Sequence, residues 1–422
     1  MNAHVHLSNF AQNFVSKFRR WGAPLSIIVL RLLSVAAGLA YIKTYTGALS
    51  LDEVGTFFYL STLSYALNAL IFVPIDFYMQ ARLASLEVLP GAALRRLVGW
   101  TLALGMGACI VLGTPLVWLG KLHISDLPAL YAVAALLYLC SSLRNLLNNR
   151  GDKIFVSSML MLESVARLGA FVAGVALFGA SARTLMTSSA LALAVEMICI
   201  VSRMQGNLRF GTGPARLDDG ATVLRIVAPI SGSALCNAVQ LQTFRVAYPL
   251  AGLSATSGLY GVVTNIGAQA MSVCGAIYSQ IEVPRLYQTQ GASIRRYVGF
   301  AVLLAMAVLA FTMVFAPMLV RLLTKDQYLP YAYAIGFGVV TEACNLIIGA
   351  YTVVLSIKQR THLLLKLNLV AAALSVAGCM AAINFRPQDP FVIGWTLAGS
   401  QVLMALALII LASRKTKPDM ES

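Results

Sequence analysis

The sequence predicts an all-α polytopic membrane protein, with twelve transmembrane helices arranged as two parallel six-helix repeats around a central cavity. Hydrophobic residues make up 59% of its 422 positions and charged residues only 11%, whereas soluble domains carry about 25% charged residues. Apolar runs near the length of about 20 residues that a span requires recur twelve times. Segments in the two halves of the chain also resemble each other. These observations together predict the fold.

The twelve runs leave only short connections and no room for a soluble domain. The predicted spans lie at 23–46, 54–78, 96–119, 127–147, 154–178, 184–203, 223–250, 257–281, 297–322, 330–356, 363–384 and 390–412. The corresponding divisions are an N-terminal segment (1–22), a first six-helix bundle (23–204), a linker (205–222), a second six-helix bundle (223–413) and a tail (414–422). No removable signal peptide is evident. Aromatic residues at helical spacing beside basic ones in the N-terminal segment indicate a helix on the membrane surface, with a frayed tail as the alternative.

Most of the 31 Lys and Arg residues fall on alternate connections, starting with the N-terminal segment. Because cytoplasmic connections are enriched in Lys and Arg, this pattern places both termini in the cytoplasm. It also accounts for the net charge of +15, since these residues meet anionic lipid headgroups. No nucleic-acid partner is needed to explain the charge.

Two segments show the internal repeat most clearly. Residues 95–106 and 295–306 match at six of twelve positions, at an offset of 200. Other markers recur in the same order: a proline near the end of each span, at Pro115 and Pro317, and an aspartate opening the next one, at Asp126 and Asp326. Chance similarity between basic-then-apolar segments is the alternative, but the repeated order favours duplication. Parallel repeats of six spans are an architecture of transporters.

Two arginines inside predicted spans are candidates for binding substrate. A charge at mid-span costs about 2.5–3.5 kcal/mol on insertion scales, so it usually faces a partner or a wet cavity. Arg31 begins a stripe of polar or small residues on span 1, and Arg245 lies on a similar, weaker stripe of span 7. A guanidinium forks onto phosphate oxygens, which makes both residues candidate cations for an anionic headgroup. Neutralisation by a carboxylate, or snorkelling to the interface, is the other interpretation.

A second group of intramembrane charges has two interpretations. Glu163 and Arg167 are four residues apart on span 5, and Glu196 is expected at similar depth on span 6. Mutual pairing of these three would lower the cost of burying them, and coupling to H⁺ or Na⁺ is the rival role. Glu342, in span 10, has no partner near it in sequence and is a weaker candidate for coupling.

The sequence indicates no cofactor, catalytic centre or metal site. Its seven cysteines all fall inside apolar runs and form no Cys-x-x-Cys pair, so they are interpreted as small buried hydrophobic residues. The four histidines are scattered, and no GxxxxGK[ST] motif for ATP hydrolysis is present.

The segment Leu49–Tyr59, which leads into span 2, resembles a motif of the polysaccharide flippases of the multidrug/oligosaccharidyl-lipid/polysaccharide exporter superfamily. Its residues are similar to that family's Leu-Gly-x-x-x-x-Gly-x-Phe/Tyr pattern, with Ser50-Leu51 where Gly-Pro is usual. Arg82, just after span 2, and Gly258-Leu259-Tyr260, at the start of span 8, are also similar to the family.

This resemblance implies a flippase that moves an undecaprenyl-diphosphate-linked oligosaccharide, an O-antigen or exopolysaccharide unit, across the bacterial inner membrane by alternating access. It also implies partnership with polysaccharide polymerase and assembly proteins. A drug or cation exporter of the same superfamily and a non-transporting scaffold of an envelope assembly complex are the alternatives. An enzyme acting on the same glycolipids is disfavoured, because the predicted outer loops are too short to carry a catalytic site.

Overall fold

A computed structural model describes residues 26–83, 89–207, 210–211, 220–357 and 361–414. The predicted surface helix in residues 1–22 and most of the linker lie outside the described residues. The described parts are almost entirely helical, apart from one parallel pair of two-residue strands, β1 (Leu89–Pro90) and β2 (Phe210–Gly211). This pair joins the connection after the second span to the segment after the sixth.

The helices of the first half are α1 (Ser26–Ala48), α2 (Leu51–Leu67), α3 (Val73–Leu83), α4 (Gly91–Trp118), α5 (Leu127–Asn149), α6 (Lys153–Phe178) and α7 (Ala182–Asn207). Those of the second half are α8 (Gly220–Leu250), α9 (Ser254–Gln288), α10 (Ile294–Val314), α11 (Ala316–Leu323), α12 (Ile335–Ile357), α13 (Thr361–Phe385) and α14 (Pro390–Arg414). Because α2 and α3 share one pass, and α10 and α11 share another, the described ranges make twelve passes. The protein is therefore a multi-pass membrane protein, as predicted.

Judged by length and composition alone, ten of these passes are long and apolar enough to cross a bilayer. The other two, α8 and α9, have 31 and 35 residues and are long enough to span. Their hydropathy is lowered by polar side chains that face the interior, including Gln240 and Arg245 on α8 and Asn265 and Gln269 on α9. Polar residues on a spanning helix are tolerated where they face protein or a cavity.

The two halves repeat the same packing. Helices α6 and α7 pack together as α13 and α14 do, and α5 contacts α7 as α12 contacts α14. Side-chain hydrogen bonds join the first and fifth passes of each half: Ser34 of α1 to Ser164 of α6 at 2.8 Å, and Asn368 Nδ2 of α13 to Ser233 Oγ of α8 at 2.8 Å. A short 3₁₀ helix that includes Asp126 precedes α5, and one that starts at Asp326 precedes α12. The predicted parallel repeat is therefore present in the structure.

Two prolines shape the passes in ways that the periodicity did not predict. A π-helical turn, Asn68–Phe72, separates α2 from α3, with the Val73 N–H bonded to the Asn68 carbonyl. Pro74 follows directly and has no N–H to donate, which favours such a local slip of the helical ladder. Pro317 lies in the first turn of α11, where the predicted span 297–322 breaks at Phe315. Pro115, its counterpart in the repeat, lies inside an unbroken α4.

The two halves meet most closely where α2 and α9 cross, near the N-terminal ends of both helices. A Cβ atom at Gly55 would lie 1.9 Å from the Ser254 carbonyl oxygen, and one at Gly258 would lie 2.5 Å from the Leu51 carbonyl oxygen. Only glycine permits this approach of two backbones. Lys121 Nζ also donates to the Leu250 carbonyl across the halves at 2.9 Å. We call this the closed end; the predicted orientation places it on the outer face.

Candidate functional site

A cavity of about 400 Å³ lies between the two halves. Its wall extends from Tyr45 and Phe57, near the closed end, to Ser34 and Ser272, farther along α1 and α9. Ser272 is exposed, so the cavity communicates with the outside of the protein on that side. The lining residues are Ser34, Val35, Gly38, Tyr41, Ile42, Tyr45, Phe57, Phe58, Ser61, Tyr65, Ser164, Arg167, Arg245, Asn265, Gln269, Ser272 and Val273.

The stripe that the sequence predicts on span 1 forms one wall of this cavity. Ser34, Gly38, Tyr41 and Tyr45 recur at helical spacing on α1 and all line it. Asn265 and Gln269, one turn apart on α9, line the opposite wall. The cavity thus offers hydroxyl and amide groups, the chemistry that hydrogen-bonds sugars.

Arg245 enters this cavity from α8. Its guanidinium carbon lies 4.7 Å from the ring centroid of Phe58, which belongs to the other half, and 5.4 Å from that of Phe244. Its Nη1 donates to Gln242 Oε1 at 3.3 Å, and its buried Nε has no hydrogen-bond partner in the described part of the chain. No carboxylate among the described residues pairs with it. Arg245 is therefore a half-buried cation that retains donors for an anion.

Arg167 is the second charged residue in the cavity wall. It pairs with Glu163 one turn away on α6, and its guanidinium carbon lies 6.0 Å from the ring centroid of Tyr41. The seventeen lining residues include these two arginines but no aspartate or glutamate. The wall therefore favours an anion over a cation.

Arg31 lies outside this set of lining residues. It is half-buried on α1, one turn before Ser34, and its Nε has no hydrogen-bond partner among the described residues. The structure thus places Arg245 in the cavity wall and Arg31 beyond the end of the cavity that Ser34 lines. The two predicted cations therefore do not form one clamp.

The predicted cluster of Glu163, Arg167 and Glu196 is organised by a fourth residue, Arg144 of α5. Its Nη1 lies 2.8 Å from Glu163 Oε2 and 2.9 Å from Glu196 Oε1. Glu163 also pairs with Arg167, whereas Glu196 is fully buried and contacts Arg144 instead. The formal charges of two guanidinium groups and two carboxylates sum to zero, and this pairing offsets the free-energy cost of burying them.

Arg144 is the one member of this cluster that the sequence pattern did not indicate. It lies inside the predicted span 127–147, but its position near the span's end groups it with the basic residues of the next connection. A signal for a fourth member was present in the charge balance. Two glutamates within predicted spans had only Arg167 to pair with, which leaves one carboxylate that requires a further cation.

Glu342 lies in a separate polar chamber of about 180 Å³ inside the second half. Its Oε2 accepts a hydrogen bond of 3.3 Å from Asn345 Nδ2, and no arginine or lysine of the described residues forms an ion pair with it. Arg245 and Asn265 line both this chamber and the central cavity. Glu342 and Arg245 therefore line the same chamber, and Arg245 also faces the central cavity.

No protein-family profile matches the chain, and no curated protein matches its sequence. Solved structures do match. An inward-facing multidrug resistance transporter of the MATE family, in the MOP superfamily, aligns with a TM-score of 0.53 at 16% identity over 93% of this chain and 96% of its own. An outward-facing transporter of that family aligns with a TM-score of 0.53 at 15% identity over 95% and 96%.

The MATE multidrug transporter DinF-BH, in a ligand complex, aligns with a TM-score of 0.62 at 13% identity over 93% and 96% of the two chains. At these identities the likeness concerns the fold. The chain therefore has the same fold as these transporters.

Proposed function

We propose that this protein is a flippase that carries a lipid-diphosphate-linked oligosaccharide, of the O-antigen or exopolysaccharide type on an undecaprenyl carrier, across the bacterial inner membrane. The single observation that supports this best is the charge of the central cavity: Arg167 and Arg245 face it and no lining residue is acidic. The diphosphate binds at Arg245, which has no carboxylate partner among the described residues, while the glycan contacts the hydroxyl and amide groups.

The physical need for such a cavity follows from the substrate. A glycan with a diphosphate cannot cross hydrocarbon unaided, because its polar groups lose their hydrogen bonds to water. Asn265, Gln269 and the tyrosines of α1 replace part of that hydration. One unit charge 4 Å from a guanidinium gains about 4 kcal/mol at an effective dielectric constant of 20, which favours a diphosphate over a neutral headgroup.

Movement follows the alternating-access scheme. MATE structures of the same fold exist in inward-facing and outward-facing conformations. The crossing of α2 and α9 at Gly55 and Gly258 closes one end of the cavity in the structure described here. Separation of the halves at that crossing, with closure opposite, exposes Arg245 to the other side of the membrane.

The principal rival is export of a drug, because the solved structures of this fold are multidrug transporters. Organic cations are disfavoured by a wall that holds two arginines and no acid. A scaffold without transport activity does not require a half-buried cation without a carboxylate partner between its halves. An enzyme is disfavoured because no catalytic constellation was predicted, and the proposed chemistry moves a molecule without breaking a bond.

Coupling to H⁺ or Na⁺ falls to Glu342 in this proposal. Glu163 and Glu196 are each bound by Arg144, so their charges are committed to the fold. Glu342 has only an amide partner among the described residues and shares a chamber with Arg245. Binding of a cation at Glu342 changes the field at Arg245, which links the driving ion to the anion site. Contacts with anionic membrane lipids, polysaccharide polymerase and assembly proteins complete the proposed partners.

Transport by the purified chain tests the proposal. Proteoliposomes are loaded with an undecaprenyl-diphosphate-linked fluorescent oligosaccharide, and a membrane-impermeant quencher reports its movement between leaflets. Wild-type protein is expected to accelerate movement over protein-free vesicles, and Arg245→Ala to remove most of that acceleration. Movement of ethidium instead, with none of the glycolipid, identifies a cation exporter, and movement of neither identifies a scaffold.

A further inference from the structure

A second concave surface, which the proposed function does not use, lies between α2, α8 and α13. It encloses about 530 Å³ and is mostly apolar. Leu235, Val246 and Leu250 of α8 line its length, and Met380 and Ile383 of α13 form its far wall. The interval from Leu235 to Leu250 covers about 22 Å of helix. We call this surface the α8 groove.

The α8 groove opens toward the bilayer. Val239 is 37% exposed, and Met380 is 51% exposed. Small side chains, Ala238 and Ala247, form part of its lining on α8. An apolar chain can therefore enter it sideways from the membrane and lie along α8.

The edge of the α8 groove adjoins the cationic cavity. Tyr65 lines both spaces. Gln242 also lines the groove, and its Oε1 accepts hydrogen bonds from Thr62 at 2.9 Å and from Arg245 Nη1 at 3.3 Å. The Gln242 amide thus lies between an apolar groove open to lipid and the half-buried guanidinium of Arg245, which has no carboxylate partner in the described part of the chain. An amphiphile with a long hydrocarbon tail and an anionic head matches this juxtaposition.

We infer that the α8 groove holds the polyisoprenoid tail of the transported lipid while its diphosphate binds Arg245. This assignment rests on the proposed function. It adds a binding place for the lipid tail, which the proposed function does not locate. The tail occupies the groove from Leu235 to Leu250, and the Thr62–Gln242 hydrogen bond separates tail from head. Passage of the diphosphate requires that bond to open, because it joins the two halves at the rim.

Site-specific photocrosslinking tests the assignment in the full chain. A benzophenone amino acid replaces Val239 in the groove or, as a matched control, Leu104, an exposed apolar residue of α4. The probe is ³²P-labelled undecaprenyl diphosphate in vesicles of phosphatidylethanolamine and phosphatidylglycerol. We expect labelling at position 239 to exceed that at position 104 at least about fivefold. Arg245→Ala is expected to lower labelling at position 239 alone, because the head anchors the tail.

The outcomes separate this inference from the proposed function. Equal labelling at positions 239 and 104, unchanged by Arg245→Ala, means that the groove holds only bulk lipid and overturns the inference. Strong labelling at position 239 by a protein that moves no glycolipid retains the groove and overturns the flippase.

Bulky substitutions provide the second readout. Ala247→Trp fills the groove and is expected to slow glycolipid movement at least about tenfold, whereas Ala103→Trp on the exposed face of α4 leaves it unchanged. If the Ala247→Trp protein misfolds, Ala238→Leu gives a smaller filling at the same wall. A wild-type rate in whichever groove variant folds normally contradicts the assignment.

Discussion

Gly55 and Gly258 face each other where α2 and α9 cross, so closely that a Cβ atom at Gly258 would lie 2.8 Å from the Gly55 nitrogen. The crossing joins the two halves backbone to backbone and closes one end of the cavity. Since each glycine comes from a different half, the contact must break whenever that end opens.

Substitution at this crossing is therefore expected to impair both packing and transport. Gly55→Ala places a methyl group against the Ser254 carbonyl, and overpacking of this kind costs about 1–3 kcal/mol. Thermal unfolding in detergent and glycolipid movement in vesicles measure the two effects. Gly47→Ala is the matched control, because a Cβ there meets nothing within 4 Å. Equal behaviour of the two variants contradicts the closed-end assignment.

Arg245→Ala is expected to lower glycolipid transport by about tenfold to a hundredfold, because charge-assisted hydrogen bonds contribute about 1.5–3 kcal/mol each. Arg245→Lys retains the charge but loses the fork, so a partial loss is expected. Arg183→Ala removes an exposed arginine paired with Asp126 and serves as the control. Normal transport by Arg245→Ala, at normal abundance, refutes the anion site.

Arg31→Ala tests whether the path extends beyond the cavity. Arg31 lies outside the cavity lining but retains a guanidinium nitrogen with no partner among the described residues. We expect a smaller loss of transport than for Arg245→Ala, since the proposed path reaches Arg31 only on entry to the cavity. A loss as large as that of Arg245→Ala, measured in the same vesicles, places Arg31 in the main binding site.

Arg144→Met is expected to destabilise the protein by about 3–5 kcal/mol, because Glu163 and Glu196 lose a partner inside the membrane. Arg144→Met combined with Glu196→Gln leaves the Glu163–Arg167 pair balanced and is expected to recover most of the stability. Abundance and thermal unfolding of the two variants provide the comparison. A double variant no more stable than the single one shows that charge balance is not what the cluster supplies.

Glu342→Gln is expected to change the dependence of transport on pH or sodium, because the amide cannot exchange a proton or attract a cation as the carboxylate does. Glu282→Gln is the control, since Glu282 pairs with the exposed Arg285. Initial rates across a range of pH, with and without sodium, give the measurement. Matching profiles for wild-type protein and Glu342→Gln exclude Glu342 as the coupling residue.

Much of the fold could be predicted because bilayer thickness and helical period act on every span. The stripe from Ser34 to Tyr45 was visible for that reason, and it does line the cavity. The π turn before Pro74 could not be predicted, since proline permits several local responses, as the unbroken helix around Pro115 shows.

The site was harder to predict than the fold. Spacing placed Glu163 next to Arg167, but the partner of Glu196 depends on how α5 packs against α7, which no local pattern encodes. The same applies to Phe58, which meets Arg245 only when the halves come together.

The contact between Phe58 and Arg245 crosses the interface between the two halves. The Phe58 ring covers the Arg245 guanidinium, whose carbon lies 4.7 Å from the ring centroid. Under the proposed function, separation of the halves moves the ring away and exposes the guanidinium to an anionic substrate, and their return covers it again. The affinity of Arg245 for that substrate is then expected to rise and fall with the conformation of the protein, without any further regulatory element.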